Sequence, residues 1–160
     1  MKNTDLLLQH PLFLEKLQAL EAAEADRFFC KHDLEHFLAV ARICYIHCLE
    51  EGLAINKDVI YVAALLHDLG RVDQYQAGIP HDQASYQLAQ RLLSDLDFTV
   101  EEEGLILQAI AKHRQKDQTD SASFASFFAL ADKESRLCFH CPAYSACKWS
   151  PTKKNRTIHY

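Results

Sequence analysis

The sequence predicts an all-α protein, a helical bundle of about six helices. Three observations lead there. Four Gly and four Pro leave few turn signals for a sheet of many short strands. Hydrophobic residues make up 49% of 160 positions, which suits one domain over residues 1–160 with a sizeable core. The apolar residues also recur at three- and four-residue spacing, the period of a helix face.

The elements follow in order. A first helix is expected over 11–25: Pro11 suits its first turn, and Leu12, Phe13, Leu17 and Leu20 share a stripe. Asp33 is a natural N-cap for a helix running to about Glu50, which Gly52 ends. That helix places Leu34, Phe37, Ala41, Cys44 and Cys48 on one face, and His36, Val40, Ile43 and His47 on a neighbouring one. Asn56 or Asp58 caps the next element. Its apolar run over 59–66 has little polar content on any side, so it reads as a buried helix, although periodicity alone leaves a strand open. Gly70 is expected to stop it as a left-handed C′ residue, with His67 and Asp68 in the last turn. A polar loop follows Arg71. Asp82 is expected to cap a helix with Ala84, Leu88, Ala89, Leu92 and Leu93 on its stripe. Thr99 and Glu102 fit a capping box that opens a helix toward His113. Residues 114–123 read as a mobile polar loop, a lid or specificity element by position. Phe124, Phe127, Phe128, Leu130, Ala131 and Leu137 mark a final buried helix that contains Asp132. The basic tail from Lys148 is expected on the surface.

The net charge of −5, without a broad basic excess, disfavours nucleic acid as a partner. Leu6-Leu7-Leu8 is preceded by Asp5 and interrupted by His10-Pro11, too short and polar for a signal peptide or membrane span. The expectation is a cytoplasmic chain with no membrane partner and mostly reduced cysteines. No feature specifies an oligomeric state.

His36, the pair His67-Asp68, and Asp132 fall at buried or helix-end positions, which is costly unless something pairs with them. A metal is one answer. Two imidazoles and two carboxylates suit a divalent ion such as Mn, Fe, Co, Ni, Zn or Mg, and neutral imidazole disfavours Ca. The spacings match no compact zinc finger, so the ligands converge only if helices pack around one point. A single His on an apolar helix is more often a paired core residue than a ligand.

Together these segments resemble the HD-domain superfamily of metal-dependent phosphohydrolases. Glu35-His36-Phe37-Leu38-Ala39-Val40-Ala41 is similar to the first-histidine helix, Ala63-Ala64-Leu65-Leu66-His67-Asp68-Leu69-Gly70-Arg71 to the doublet helix, and Leu130-Ala131-Asp132-Lys133-Glu134-Ser135-Arg136-Leu137 to the distal-aspartate helix. The resemblance covers roughly residues 28–137, leaving 138–160 as a cysteine-containing extension. It implies His36, His67, Asp68 and Asp132 as metal ligands. Pro80-His81-Asp82-Gln83-Ala84-Ser85 and Ala109-Ile110-Ala111-Lys112-His113 resemble segments that supply a second metal site or a phosphate-binding pair, so one ion or two stays open. With two, Asp68 is the natural bridge. His32 and His47 read as structural or surface groups.

The function so implied is hydrolysis of a nucleotide or other phosphate ester, with metal-bound hydroxide attacking phosphorus and Asp68, beside His67, as the catalytic group. The partner is then a small phosphorylated molecule. Arg71, Lys112, Arg114 and Lys133 are the cations nearest the ligands in sequence and candidates for phosphate contacts; each taken singly reads more readily as a solvated charge. The rival reading is a non-catalytic nucleotide-binding module, or a redox or metal sensor, on the same fold. A weaker one is a structural partner protein with an incidental metal.

Cys138, Cys141 and Cys147 stand in C-x2-C-x5-C spacing just past the distal-aspartate helix, and Cys30 precedes the first-histidine helix. Three thiolates, with Cys30 as a fourth or His140 as a substitute, could hold zinc as a clasp or an iron–sulfur cluster as a redox element. The plain alternative is free thiols. Cys44 and Cys48, four apart on a helix, read as core residues.

Overall fold

The computed structural model describes residues 1–114, 122–158 and 160. Residues 115–121, most of the expected 114–123 loop, lie outside that range. Among the described residues there are eight α-helices and no strand: α1 Lys2–Leu7, α2 Pro11–Ala23, α3 Leu34–Glu50, α4 Lys57–Leu66, α5 Arg71–Ala77, α6 His81–Leu93, α7 Val100–Lys112 and α8 Phe124–Glu134. A 3-10 turn, Cys138–His140, follows. No described helix is long and apolar enough to cross a membrane.

The hub is α4. Val59, Ile60, Val62, Ala63, Ala64, Leu65 and Leu66 are all fully buried, and only Lys57 and part of Tyr61 meet solvent. It packs on α3 and α7, with α1 and α6 against its flanks. Each buried Val, Leu or Ile contributes about 1.5–3 kcal/mol of transfer free energy. Helix α8 closes the bundle by packing on α3 and α7, and Cys44 and Cys48 are core residues as expected.

Local chemistry sets the helix ends. Asp33 accepts from the His36 N–H, and Asn56 from the Asp58 N–H. The Thr99–Glu102 capping box is complete. Gly52, at φ +68°, provides the left-handed turn after α3.

Several expectations need correction. Helices α1 and α5 are additional to the expected set, and α5 occupies the expected polar loop. Helix α6 begins at His81 with Pro80 as N-cap, so Asp82 lies inside the helix rather than capping it. Helix α8 ends at Glu134, and Leu137 is 63% exposed rather than part of a buried helix. Gly70 is right-handed, at φ −67° and ψ −3°, so it is no left-handed cap. Its reason is space. An added Cβ would stand 2.3 Å from the Ser85 N, 2.6 Å from the His81 O and 2.8 Å from the Ala84 C. The Gly70 N–H also donates to Ser85 Oγ at 2.9 Å. The turn after α4 therefore rests directly on the backbone of α6. The basic tail lies on the surface as expected, but Asn155 within it is buried and its Nδ2 donates to the carbonyls of Lys133 at 2.7 Å and Arg136 at 2.8 Å.

Candidate metal centre

His67 and Asp68 follow the last residue of α4 and are wholly buried. Around them converge His36 from α3, His81 at the first position of α6, His113 just past α7, and Asp132 from α8. Two groups form, each with ligand atoms within 4.8 Å of one another. One is His36, His67, Asp68 and Asp132; the other is Asp68, His81 and His113. Asp68 belongs to both. Its Oδ2 lies 3.4 Å from His67 Nε2 and 3.9 Å from His36 Nε2. Its Oδ1 lies 3.3 Å from His81 Nε2 and 3.8 Å from His113 Nε2.

Each imidazole is turned by a bond at its other nitrogen. His67 Nδ1–H donates to the Ala64 carbonyl, and His113 Nδ1–H to the Ile110 carbonyl, both at 2.7 Å. His81 Nδ1–H donates to Gln74 Oε1 at 2.6 Å. Ser135 Oγ donates to the Asp132 carbonyl at 2.7 Å, which leaves it to accept from His36 Nδ1–H at 3.1 Å. All four Nε2 atoms are thereby aimed inward, the orientation a metal needs.

The fit to a metal is carried by what lacks a partner. His67 Nε2, His81 Nε2, His113 Nε2 and both Asp68 oxygens are buried without a hydrogen bond. Groups of this kind are normally satisfied in a folded interior, and each one left unmade costs about 1–3 kcal/mol. Imidazole and carboxylate donors together fit a divalent transition ion.

The electrostatics agree. Burial pushes His36 down to about 4 and His81 down to about 3, and it lowers His113 as well. His67 behaves differently. Burial pulls it down, but the Asp68 and Asp132 carboxylates outweigh that and raise it to about 9. Asp68 and Asp132 are held well below the usual carboxylate range; burial opposes this, and the adjacent imidazoles and arginines prevail.

Among the expected cations, Arg71 is at the site, with Nε 3.0 Å from Asp68 Oδ1. Arg114 lies at the rim, paired to Asp82 at 2.8 Å. Lys112, the last residue of α7, stands beside His113 in the chain and is partly buried. Lys133 instead lines a groove with Glu134 and residues 151–157.

Sequence reasoning missed two participants and misread one histidine. Arg136 Nη2 donates to His36 Nε2 at 2.9 Å and lies 3.4 Å from Asp132 Oδ1. His32, expected to be structural or surface, is buried with Nε2 3.7 Å from Asp68 Oδ2. Its Nδ1 bonds Glu24 Oε1 at 2.7 Å, and burial lowers its basicity. Arg136 and His32 each lie four residues from a member of the site, Asp132 and His36, but both fall just outside the helices that carry those residues, so only their nearness in sequence was a signal. Glu24 reaches the site through a loop and had none. A pocket lined by Glu21, Glu24, Lys31, His32 and Asp33 opens beside His32. His47 is structural, bonded to Glu134 at 2.7 Å and stacked on Phe127.

The cysteines do not form a third such group among the described residues. All six are free thiols.

Comparison with known proteins gives three matches. The sequence profile of a family described as HD domain matches residues 33–137. A protein of Clostridium beijerinckii, described as uncharacterized, is 40% identical over 160 residues, the full length of both chains. A crystal structure from an uncultured Thermotogales bacterium, described as a predicted HD superfamily hydrolase, superposes with a TM-score of 0.62 at 23% identity. It covers 96% of this chain and 87% of its own, a likeness of fold.

Proposed function

The chain belongs to the HD domain family, and from that premise we propose that it is a metal-dependent phosphohydrolase acting on a nucleotide or another small phosphate ester. The observation that carries this reading is the bifacial Asp68: one buried carboxylate whose two oxygens face two separate sets of imidazoles. His36, His67, Asp68 and Asp132 would hold one ion, and Asp68, His81 and His113 a second. A bound divalent ion acidifies water and polarises a phosphoryl oxygen. The chain's own part is to fix geometry and charge. Asp68, held ionised, is placed to bridge the two ions and so orient the attacking water between them. Arg71 and Arg136 sit on opposite edges of the ligand set and are the cations best placed to grip substrate oxygens. Arg136 now rests on His36 Nε2 itself, so in the loaded protein it is released to do so.

The test combines metal counting with turnover. A panel of nucleotides and phosphate esters is assayed for phosphate release with Mn, Co and Ni. Asp68→Ala is expected to lose both ions and all activity, and His81→Ala to lose one ion only. Tight nucleotide binding with no phosphate release from the wild-type chain would instead favour a sensing module. Full activity in Asp68→Ala would sink the assignment.

A further inference from the structure

We propose that Cys30, Cys138, Cys141 and Cys147 form a second metal centre, an iron–sulfur cluster that joins the loop before α3 to the segment after α8. The site is independent of the histidine centre, and of whether that centre hydrolyses phosphate.

The argument starts from placement. Cys30 and Cys138 are far apart in the chain, yet the fold brings their segments together. Arg136 Nη1 donates to the Lys31 carbonyl at 3.0 Å, and Arg27 Nε donates to the Cys30 carbonyl at 2.8 Å. These bonds pin the Cys30 backbone from one side and its neighbour from the other. Cys138 and Cys141 lie near enough to act on the Cys30 thiol electrostatically; burial raises it first, and both sulfurs add to that. Cys138 opens the 3-10 turn, and the Cys141 N–H donates to its carbonyl at 3.2 Å, which curls the two sulfurs onto one loop. Further turns, with bonds from Tyr144 N–H to the Cys141 carbonyl at 3.0 Å and from Ala146 N–H to the Ala143 carbonyl at 3.1 Å, lead to Cys147. Ala143, between them, is fully buried and anchors that loop to the body.

Sulfur spacing argues against a single zinc ion. One tetrahedral zinc, with Zn–S bonds of about 2.3 Å, requires its sulfurs within about 3.8 Å of one another. No three of these sulfurs lie within even 4.8 Å of one another, in contrast to the His–Asp donors. A cluster with several iron and sulfide atoms between its thiolates seats a wider set. The flanking residues fit the same reading. Phe28, Phe29, Leu137 and Phe139 are large, apolar and between 39% and 63% exposed beside the cysteines. A cluster that gathers both segments gives these side chains something to cover and shields the sulfide from water.

The experiment is anaerobic purification of the full chain, with iron, zinc and acid-labile sulfide counted per chain. Cys30→Ala, Cys141→Ala and His67→Ala are carried in parallel. The wild-type chain is expected to show sulfide, iron and the broad visible absorption of an iron–sulfur chromophore. His67→Ala should keep the sulfide, while both cysteine variants lose it and retain the histidine-bound ion. That retained ion, with an unchanged helical circular-dichroism spectrum, separates loss of the cluster from failure to fold. Native alkylation is the second readout: the four thiols should be protected until iron is chelated, then react. Zinc in place of iron and sulfide, lost in the cysteine variants, would overturn the cluster and leave a zinc site. No sulfide, equal metal in all cysteine variants and rapid labelling of the four thiols would overturn the site itself.

Discussion

Charge at the centre is settled by His67. His36 at about 4 and His81 at about 3 are neutral at pH 7 in the metal-free fold, because burial penalises their cations. His67, at about 9, still carries its proton there, held by Asp68 and Asp132. A metal needs the neutral Nε2, so loading the site at pH 7 must expel that proton. Calorimetric titration of the metal-free chain in buffers of different ionisation enthalpy should show about one proton released per chain at pH 7. The sign follows from the raised value: the proton is present below about 9 and absent above it, so release should fade as pH climbs past 9. Uptake of protons, or no buffer dependence at pH 7, would show that His67 does not hold its proton in the metal-free fold.

At the scale of elements, the controlling contact is Gly70 on α6. Gly70→Ala drives a Cβ into three backbone atoms that no rotamer change can move. Overpacking of this kind costs about 1–3 kcal/mol. The strain falls between Asp68 and His81, so the ion shared by Asp68, His81 and His113 should weaken more than the other. Urea denaturation and metal counting together measure it; wild-type stability with two ions bound would refute the contact. Gly104 gives the contrast. It lies inside α7 with nothing within 4 Å of an added Cβ, so Gly104→Ala should stabilise by about 1 kcal/mol.

Gly70 also shows what the sequence could and could not reveal. The six residues of the candidate centre were legible through the HD-domain resemblance, and the six longer helices and the Thr99 capping box because helical period and cap chemistry are local. The glycine's packing reason was not, since it depends on where α6 comes to lie. Helix α1 was hidden for a related cause. At six residues it has no stable stripe of its own, and it holds because Asp58 of α4 accepts from the Asn3 N–H at 2.9 Å and the Thr4 N–H at 2.8 Å. Helix α5 buries only Val72, too little for a periodic signal, although Gly78 at φ +70° marked its end.

Over the whole molecule, the centre draws on both halves of the chain, and the last segment locks it. Asn155 satisfies carbonyls in the last turn of α8 and just past it, at the end of the helix that presents Asp132, with Ser135 and Arg136 just beyond. Asn155→Ala leaves those carbonyls unpaired at a cost of about 1–3 kcal/mol. It should also weaken the ion at His36 and Asp132 while sparing the one at His81 and His113. Thermal unfolding with and without metal checks both parts; equal loss at the two sites would mean the clasp acts only on global stability. The same arrangement governs when the protein can mature. Domains form from the N-terminus during synthesis. Here His36, His67, Asp68, His81 and His113 all leave the ribosome before Asp132, and Asn155 follows it. A nascent chain stalled at Lys112 would lack both His113 and Asp132, so neither group of donors closes until α7 and α8 have been made.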